Sequence, residues 1–158
     1  MEPLERIRDR IDARFGSGAA TLVPNPSPSA QHSLLLRSDQ AAAIAAFLRD
    51  DAELCLDYCS NVSGLDWPAA GHLEVVYHLY SMTCRHGPVI IRVRTADRGP
   101  GAAAPSLALV WRSAELQERE VFDLFGITFW GHPDLRRLLM WDDYAEYPLR
   151  KDFGKGAA

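Results

Sequence analysis

Apolar positions recur along this chain at two spacings, one helical and one alternating, and together they predict an α+β fold. Leu4, Ile7, Ile11 and Phe15 share one stripe of residues 2–15, with Pro3 near the start and Gly16 after it, as an amphipathic helix requires. Ala41, Ile44, Ala45 and Leu48 repeat the stripe behind a cap at Ser38 or Asp39. Ala114, Val121, Phe122 and Phe125 form a third, predicting a helix over 113–125 with Ser113 as cap and Gly126 as stop. Alternation takes over at 72–82, where Leu73, Val75, Tyr77 and Leu79 face one way and Glu74, Val76, His78 and Tyr80 the other. Residues 89–95 alternate likewise, Val89, Ile91 and Val93 against Ile90, Arg92 and Arg94. These two runs read as an antiparallel hairpin with one dry face, covered by helices, and one charged face.

Shorter signals complete the pattern. Leu34, Leu35 and Leu36 fit a strand, and Thr21 to Val23 another inside a Pro/Gly-rich loop at 16–31 that contains Pro24, Pro26 and Pro28. Residues 57–67 read as a loop closed by Pro68, 96–105 as a flexible break, and 106–111 as a strand or a short helical turn. The expected architecture is a mixed or antiparallel sheet with helices mainly on one face and an extended C-terminal segment. One domain over 1–153 is expected, with 154–158 as a flexible tail.

Composition changes this picture little. At 158 residues, 47% hydrophobic and 24% charged, the chain suits one globular domain with a proper core. A net charge of −4 argues against the basic footprint of a nucleic-acid binder. Three cysteines make no disulfide framework and fit a reducing compartment. No apolar run approaches the roughly 20 residues of a membrane span, and the start has no secretory apolar region. The expectation is a soluble cytoplasmic domain that meets a membrane only through a partner.

Candidate chemistry concentrates at 118–152. Glu118 projects from the middle of the third stripe, where a carboxylate loses water and either finds a partner or becomes neutral. Arg136-Arg137, just after the Gly131-His132-Pro133 turn, is the nearest source of one, and a guanidinium fork suits a buried carboxylate. Arg119, Glu120 and Asp123 point to other faces, toward water or another subunit. Cys55 and Cys59, with Cys84 and His86, lack the paired spacing of structural zinc and the four thiolates of an iron–sulfur cluster. Gly16-Ser17-Gly18 follows no strand and Gly154-Lys155-Gly156 lies in the tail, so neither forms a phosphate cradle or an NADH site. An acid–base enzyme using Glu118 and His132 is the rival reading, without a motif for a nucleophile or cleft. His72 and His78 are expected to be solvated or paired with Glu74, and Trp130 and Trp141 to serve an interface.

Glu118-Arg119-Glu120, two residues, Asp123-Leu124-Phe125, six residues, His132, three residues, Arg136-Arg137: this order resembles the signature of the respiratory complex I 30 kDa subunit family. In bacteria that family supplies the C subunit of the proton-pumping NADH-quinone oxidoreductase. The resemblance runs on through Gly126-Ile127-Thr128-Phe129 and Pro148-Leu149-Arg150-Lys151-Asp152, and a looser likeness covers Asn61, Gly64, Leu65, Asp66 and Trp67. It implies a cofactor-free structural or assembly subunit of the hydrophilic arm, peripheral to the inner membrane on its cytoplasmic side. FMN, iron–sulfur clusters and quinone are then expected in partner subunits, chiefly the large quinone-site subunit and its cluster-bearing neighbour. The resemblance also implies intra- and intersubunit contacts for Glu118, Arg119, Glu120, Asp123, His132, Arg136, Arg137, Arg150, Lys151 and Asp152. Similar signatures occur in membrane-bound hydrogenases and ferredoxin-fed complexes, so an equivalent subunit there is the alternative. Trp141 departs from the pattern, since relatives commonly have proline at that place.

Overall fold

The computed structural model describes residues 2–25, 27 and 31–154. In chain order the elements are α1 (Leu4–Phe15), β1 (Ala20–Val23), β2 (Ser33–Leu36), α2 (Ala41–Asp50) and β3 (Tyr58–Trp67). After a 3-10 turn at Pro68–Ala70 come β4 (His72–Ser81), β5 (His86–Arg94), β6 (Ala103–Pro105), α3 (Ala114–Phe125) and β7 (Thr128–Trp130). Pro26, Pro28 and the tail beyond Gly154 lie outside the described residues.

Five strands form one mixed sheet in the order β1-β2-β5-β4-β3. β4 is antiparallel to both β5 and β3, β1 is antiparallel to β2, and only the β2–β5 pair is parallel. The register puts Leu22, Leu34, Ile91, Tyr77 and Val62 in one row across the sheet. That row faces the helices, and the buried stripes of α1 (Ile7, Ile11) and α2 (Ala41, Ile44, Ala45, Leu48) close on it. The fold is α+β with its helices on one face, as the alternating and helical patterns require. Beyond residue 130 the chain runs through turns and bends as an extended strap, with no further helix or strand among the described residues.

Several local expectations are corrected. Residues 57–67, a loop by their polar content, are strand β3, because Cys59 and Val62 supply its inward side while Asn61 and Ser63 face outward. A register shift between Cys59 and Asn61 breaks the alternation that would have revealed it. Gly64 has a packing reason: a Cβ there would lie 2.5 Å from the Phe125 ring. Gln40, not Ser38 or Asp39, is the N-cap position of α2 and makes no side-chain cap bond, and Asp39 is taken by Arg37 at 2.7 Å. Ser113 does precede α3, but its hydroxyl donates to the Cys59 carbonyl at 2.7 Å and so ties the helix to β3. The break at 96–105 contains β6, parallel to β7, and 106–111 forms a turn that exposes Leu109 and buries Trp111, whose indole donates to the Leu56 carbonyl at 2.7 Å. Cys55 sits in a turn at φ 42° and Cys59 on β3, so their four-residue spacing shares no helix face. Burial pushes the Cys59 thiol up to about 12.

Candidate functional site

The signature residues gather around the two buried carboxylates of α3, Glu118 and Asp123, and the helix end between them. Glu118 lies on the side of α3 that faces the sheet and is fully buried. Its oxygens accept from the Tyr77 hydroxyl at 3.0 Å, the Ser106 hydroxyl at 2.5 Å and the Leu107 amide at 2.7 Å. Burial raises the Glu118 pKa, against the pull of those three donors. The same burial, with the Glu118 charge beside it, raises Tyr77 well above its ordinary value. The expected pairing of Glu118 with Arg136 or Arg137 is therefore corrected. Neutral donors from β4 and the 106–107 turn reach the carboxylate from the sheet side, and they satisfy it.

The arginine goes to Asp123 instead. Arg137 Nη1 donates to Asp123 Oδ1 at 2.7 Å, while Oδ2 accepts the successive amides of Leu138, Leu139 and Met140 at 3.0, 2.6 and 2.9 Å. Asp123 is fully buried, not turned to water as its helix position suggested. Burial alone would raise its pKa, but the amides and the guanidinium overcome that and lower it. Arg119 is buried as well, donating to the carbonyls of Arg136 and Arg137, both at 3.1 Å. Its position on the helix wheel suggested solvent; the strap lies across it.

The same segment completes the helix end. An α-helix leaves its last four carbonyls without intrahelical donors. Here Phe122 O takes the Gly126 amide at 2.9 Å and Asp123 O takes Arg137 Nη1 at 3.1 Å. Leu124 O takes the Leu149 amide at 3.1 Å, and Phe125 O takes Arg150 Nε at 2.7 Å. Gly126 reaches φ +71°, and a Cβ on it would sit 2.5 Å from the Tyr147 ring. The guanidiniums of Arg137 and Arg150 both approach that ring, 5.7 and 4.7 Å from its centroid.

A second clasp holds the strap to β3. Arg98 bonds Asp66 through Nε at 2.5 Å and Asp152 through Nη2 at 2.8 Å, and Asp66 also accepts the Lys151 amide at 2.7 Å. The Arg98 fork is the main reason that Asp66 titrates below its usual range. Of the other signature residues, His132 Nε2 contacts the Glu115 carbonyl at 2.9 Å, Arg136 pairs with Asp134 at the surface, and Glu120 is exposed. Glu120 lines a groove of about 260 Å³ with Val62, Gly64, Gln117, Leu124 and Leu149. Sequence reasoning missed Tyr77, Ser106, Arg98 and Tyr147 as partners. Each lies far from its contact along the chain, and no local spacing marks it.

These charges hold the strap in place. Glu118 and His132 are both engaged with partners, and neither lines the groove. Among the described residues no group of three or more His, Cys, Asp or Glu is placed to hold a metal ion. The strap turns large apolar side chains outward among its charged ones: Leu139 is 63% exposed and Trp141 62%, and Leu138, Leu149 and Phe153 are exposed too.

The clasp also sets an acid limit. The pKa values of Asp66 and Asp123 are lowered on folding, so their contribution is present above the ordinary carboxyl range and is lost as pH falls through it. The strap is expected to loosen below about pH 4, before the sheet unfolds. Proteolysis of residues 131–154 followed against pH checks this, and Asp123→Asn should flatten the profile.

A profile described as "Respiratory-chain NADH dehydrogenase, 30 Kd subunit" matches residues 34–157. The chain is 43% identical over 126 residues to the C subunit of the NADH-quinone oxidoreductase of Roseiflexus castenholzii (strain DSM 13941 / HLO8), covering 79% of this chain and 71% of that protein. It is 42% identical over 156 residues to the same subunit of Roseiflexus sp. (strain RS-1), covering 98% and 83%. Among solved structures, the trypsin-resistant fragment of Nqo5 superposes with a TM-score of 0.57 at 27% identity, over 84% of this chain and 98% of that one. A chain of the membrane-bound sulfane sulfur reductase, an archaeal respiratory membrane complex, gives a TM-score of 0.73 at 23% identity, over 94% and 84%. That second likeness is one of fold alone.

Proposed function

The chain belongs to the family of the respiratory-chain NADH dehydrogenase 30 Kd subunit, and from that premise we propose that it is a cofactor-free assembly subunit of a proton-translocating NADH-quinone oxidoreductase. Its place is the hydrophilic arm, on the cytoplasmic side of the inner membrane, held there by other subunits. None of its described helices is long and apolar enough to cross a membrane. NADH oxidation, the iron–sulfur relay and quinone reduction then belong to its companions, chiefly the large quinone-site subunit and its cluster-bearing neighbour.

One observation carries this reading: Asp123 and Arg119 are satisfied inside the chain, and their bonds present a strap that exposes Leu138, Leu139, Trp141, Leu149 and Phe153 among charged side chains. An apolar patch rimmed by polar residues marks a protein interface. Arg119, Asp123 and Arg137 act from within by shaping the strap and Glu118 by holding α3 to the sheet, while Glu120, Arg136, Lys151 and Asp152 reach the surface where a companion docks. Leu139→Asp tests this. The side chain is exposed, so the unfolding midpoint of the purified chain should stay within experimental scatter. Loss of an interface anchor should weaken assembly by about 2 kcal/mol or more, roughly 30-fold in affinity. Yield of the intact complex on native gels reads the effect. Undiminished yield, or a flavin or iron–sulfur spectrum from the purified chain, overturns the proposal.

A further inference from the structure

The five-stranded sheet ends on β3, whose outer edge has no strand beside it among the described residues. An unpaired edge presents amides and carbonyls that another chain can meet, and folded proteins usually cover it. Here the cover is partial. Gln117 Oε1 accepts the Val62 amide at 2.8 Å, so Val62 turns its main chain away from β4. The register runs unbroken from Asn61 to Trp67, and main-chain direction alternates along a strand, so Gly64 turns the same way. No described residue bonds the Gly64 amide or carbonyl on that side. Farther on, Asp66 is buried against the strap, where its side chain takes the Lys151 amide. The open part of the edge is therefore centred on Gly64.

This opening has a second wall. Two grooves, of about 260 and 430 Å³, meet at Gly64 and share Phe125 and Leu149 as apolar lining. α3 flanks the first of them with Gln117, Glu120 and Leu124. Gly64 and Phe125 are half-buried and Leu149 is 50% exposed, so a partner reaches them from solvent. A trough between a free strand edge and a helix suits one added strand: the edge supplies main-chain bonds and the apolar lining takes alternate side chains. Its two ends differ in charge. Glu120 borders one groove and Lys151 the other, and neither side chain has a hydrogen bond or ion pair among the described residues.

We propose that an extended segment of a companion subunit joins the sheet here as a further strand. Its main chain donates to the Gly64 carbonyl and accepts from the Gly64 amide, and its apolar side chains lie on Phe125 and Leu149. A basic residue of the segment faces Glu120 and an acidic one faces Lys151, which fixes its direction and register. A second copy of this chain fits worse, because its β3 edge would arrive with its own Gln117 in front. The inference rests on the reading of the chain as a subunit, and Leu149 makes the trough continuous with the strap.

Hydrogen exchange at the Gly64 amide tests it, resolved by fragmentation of the peptide spanning 58–67 and compared between the dilute purified chain and the solubilised complex. Exchange should be about a hundredfold slower, or more, in the complex, as for an amide passing from open to bonded. Glu120→Lys and Lys151→Glu, both at exposed side chains, should each cut the yield of complex by about threefold or more and leave the unfolding midpoint of the purified chain unchanged. If Leu139→Asp lowers the yield while Gly64 exchanges equally fast in both states, this inference falls and the subunit reading stands. If neither effect is seen, both fall. Slow exchange already in the dilute chain makes residues 155–158 the occupant, and slowing that grows with the concentration of the purified chain makes it a second copy; either overturns the inference. Protection in the complex with full yield from both charge reversals overturns the chemistry assigned to the segment.

Discussion

Asp123→Ala is expected to release the C-terminal strap and to lower stability by about 3–5 kcal/mol, the range for removing one member of a buried charge pair. Three amides, those of Leu138, Leu139 and Met140, lose their acceptor at once, and the largely buried Arg137 guanidinium loses its carboxylate. For hydrogen bonds Arg137 keeps only the carbonyls of Asp123 and Tyr144. Urea unfolding reads the loss, and limited proteolysis locates it: cleavage should move into 131–154 while β4 and β5 stay resistant. Asp123→Asn keeps one amide acceptor and should fall between. A stability drop below about 1 kcal/mol, the value of one ordinary hydrogen bond, would show that the strap is held mainly by other contacts.

Glu118→Ala should have a comparable effect by a different route. It strands the Tyr77 hydroxyl, the Ser106 hydroxyl and the Leu107 amide in the interior, each at about 1–3 kcal/mol, and leaves a void under α3. The expected readout is a lower unfolding midpoint with damage spread through the core, since the lost donors belong to the sheet and the 106–107 turn. Glu118→Gln fills the same volume and keeps an oxygen acceptor, so it should recover much of the loss. The pH dependence has the opposite sign to that of Asp123. With its pKa raised, Glu118 favours the fold most when protonated, below the ordinary carboxyl range, and the benefit falls as pH rises through it. If alanine at 118 matches glutamine in stability, the three donors have found other acceptors.

Much of this was legible in the chain. The stripe of α2 names its buried residues one for one, that of α1 names buried Ile7 and Ile11 with Leu4 and Phe15 half-buried at its ends, and alternation at 72–82 and 89–95 gives the central hairpin with its faces assigned correctly. β3 was not legible, because its bulge shifts the period and because an edge strand tolerates Asn61, Ser63 and Gly64. Its free edge is partly closed by Gln117, whose oxygen accepts the Val62 amide at 2.8 Å. Within the site, burial of Glu118 followed from its place in the apolar stripe, but its partners did not. Proximity in sequence favoured the arginine pair, whereas Tyr77 comes from 41 residues upstream and bonds a helix side that sequence spacing cannot orient against a particular strand. Arg137 serving Asp123 needed the strap's path, which has no periodicity to read.

The finished end of α3 bears on how this polypeptide is made. Its donors from Arg137 and Arg150 lie 14 and 25 residues downstream of the carbonyls they cover, with the Leu149 amide between them in sequence. During translation the helix leaves the ribosome first and must wait, frayed at its terminus, for the groups that seal it. A product cut short in that interval has neither the seal nor the apolar surface that the seal displays.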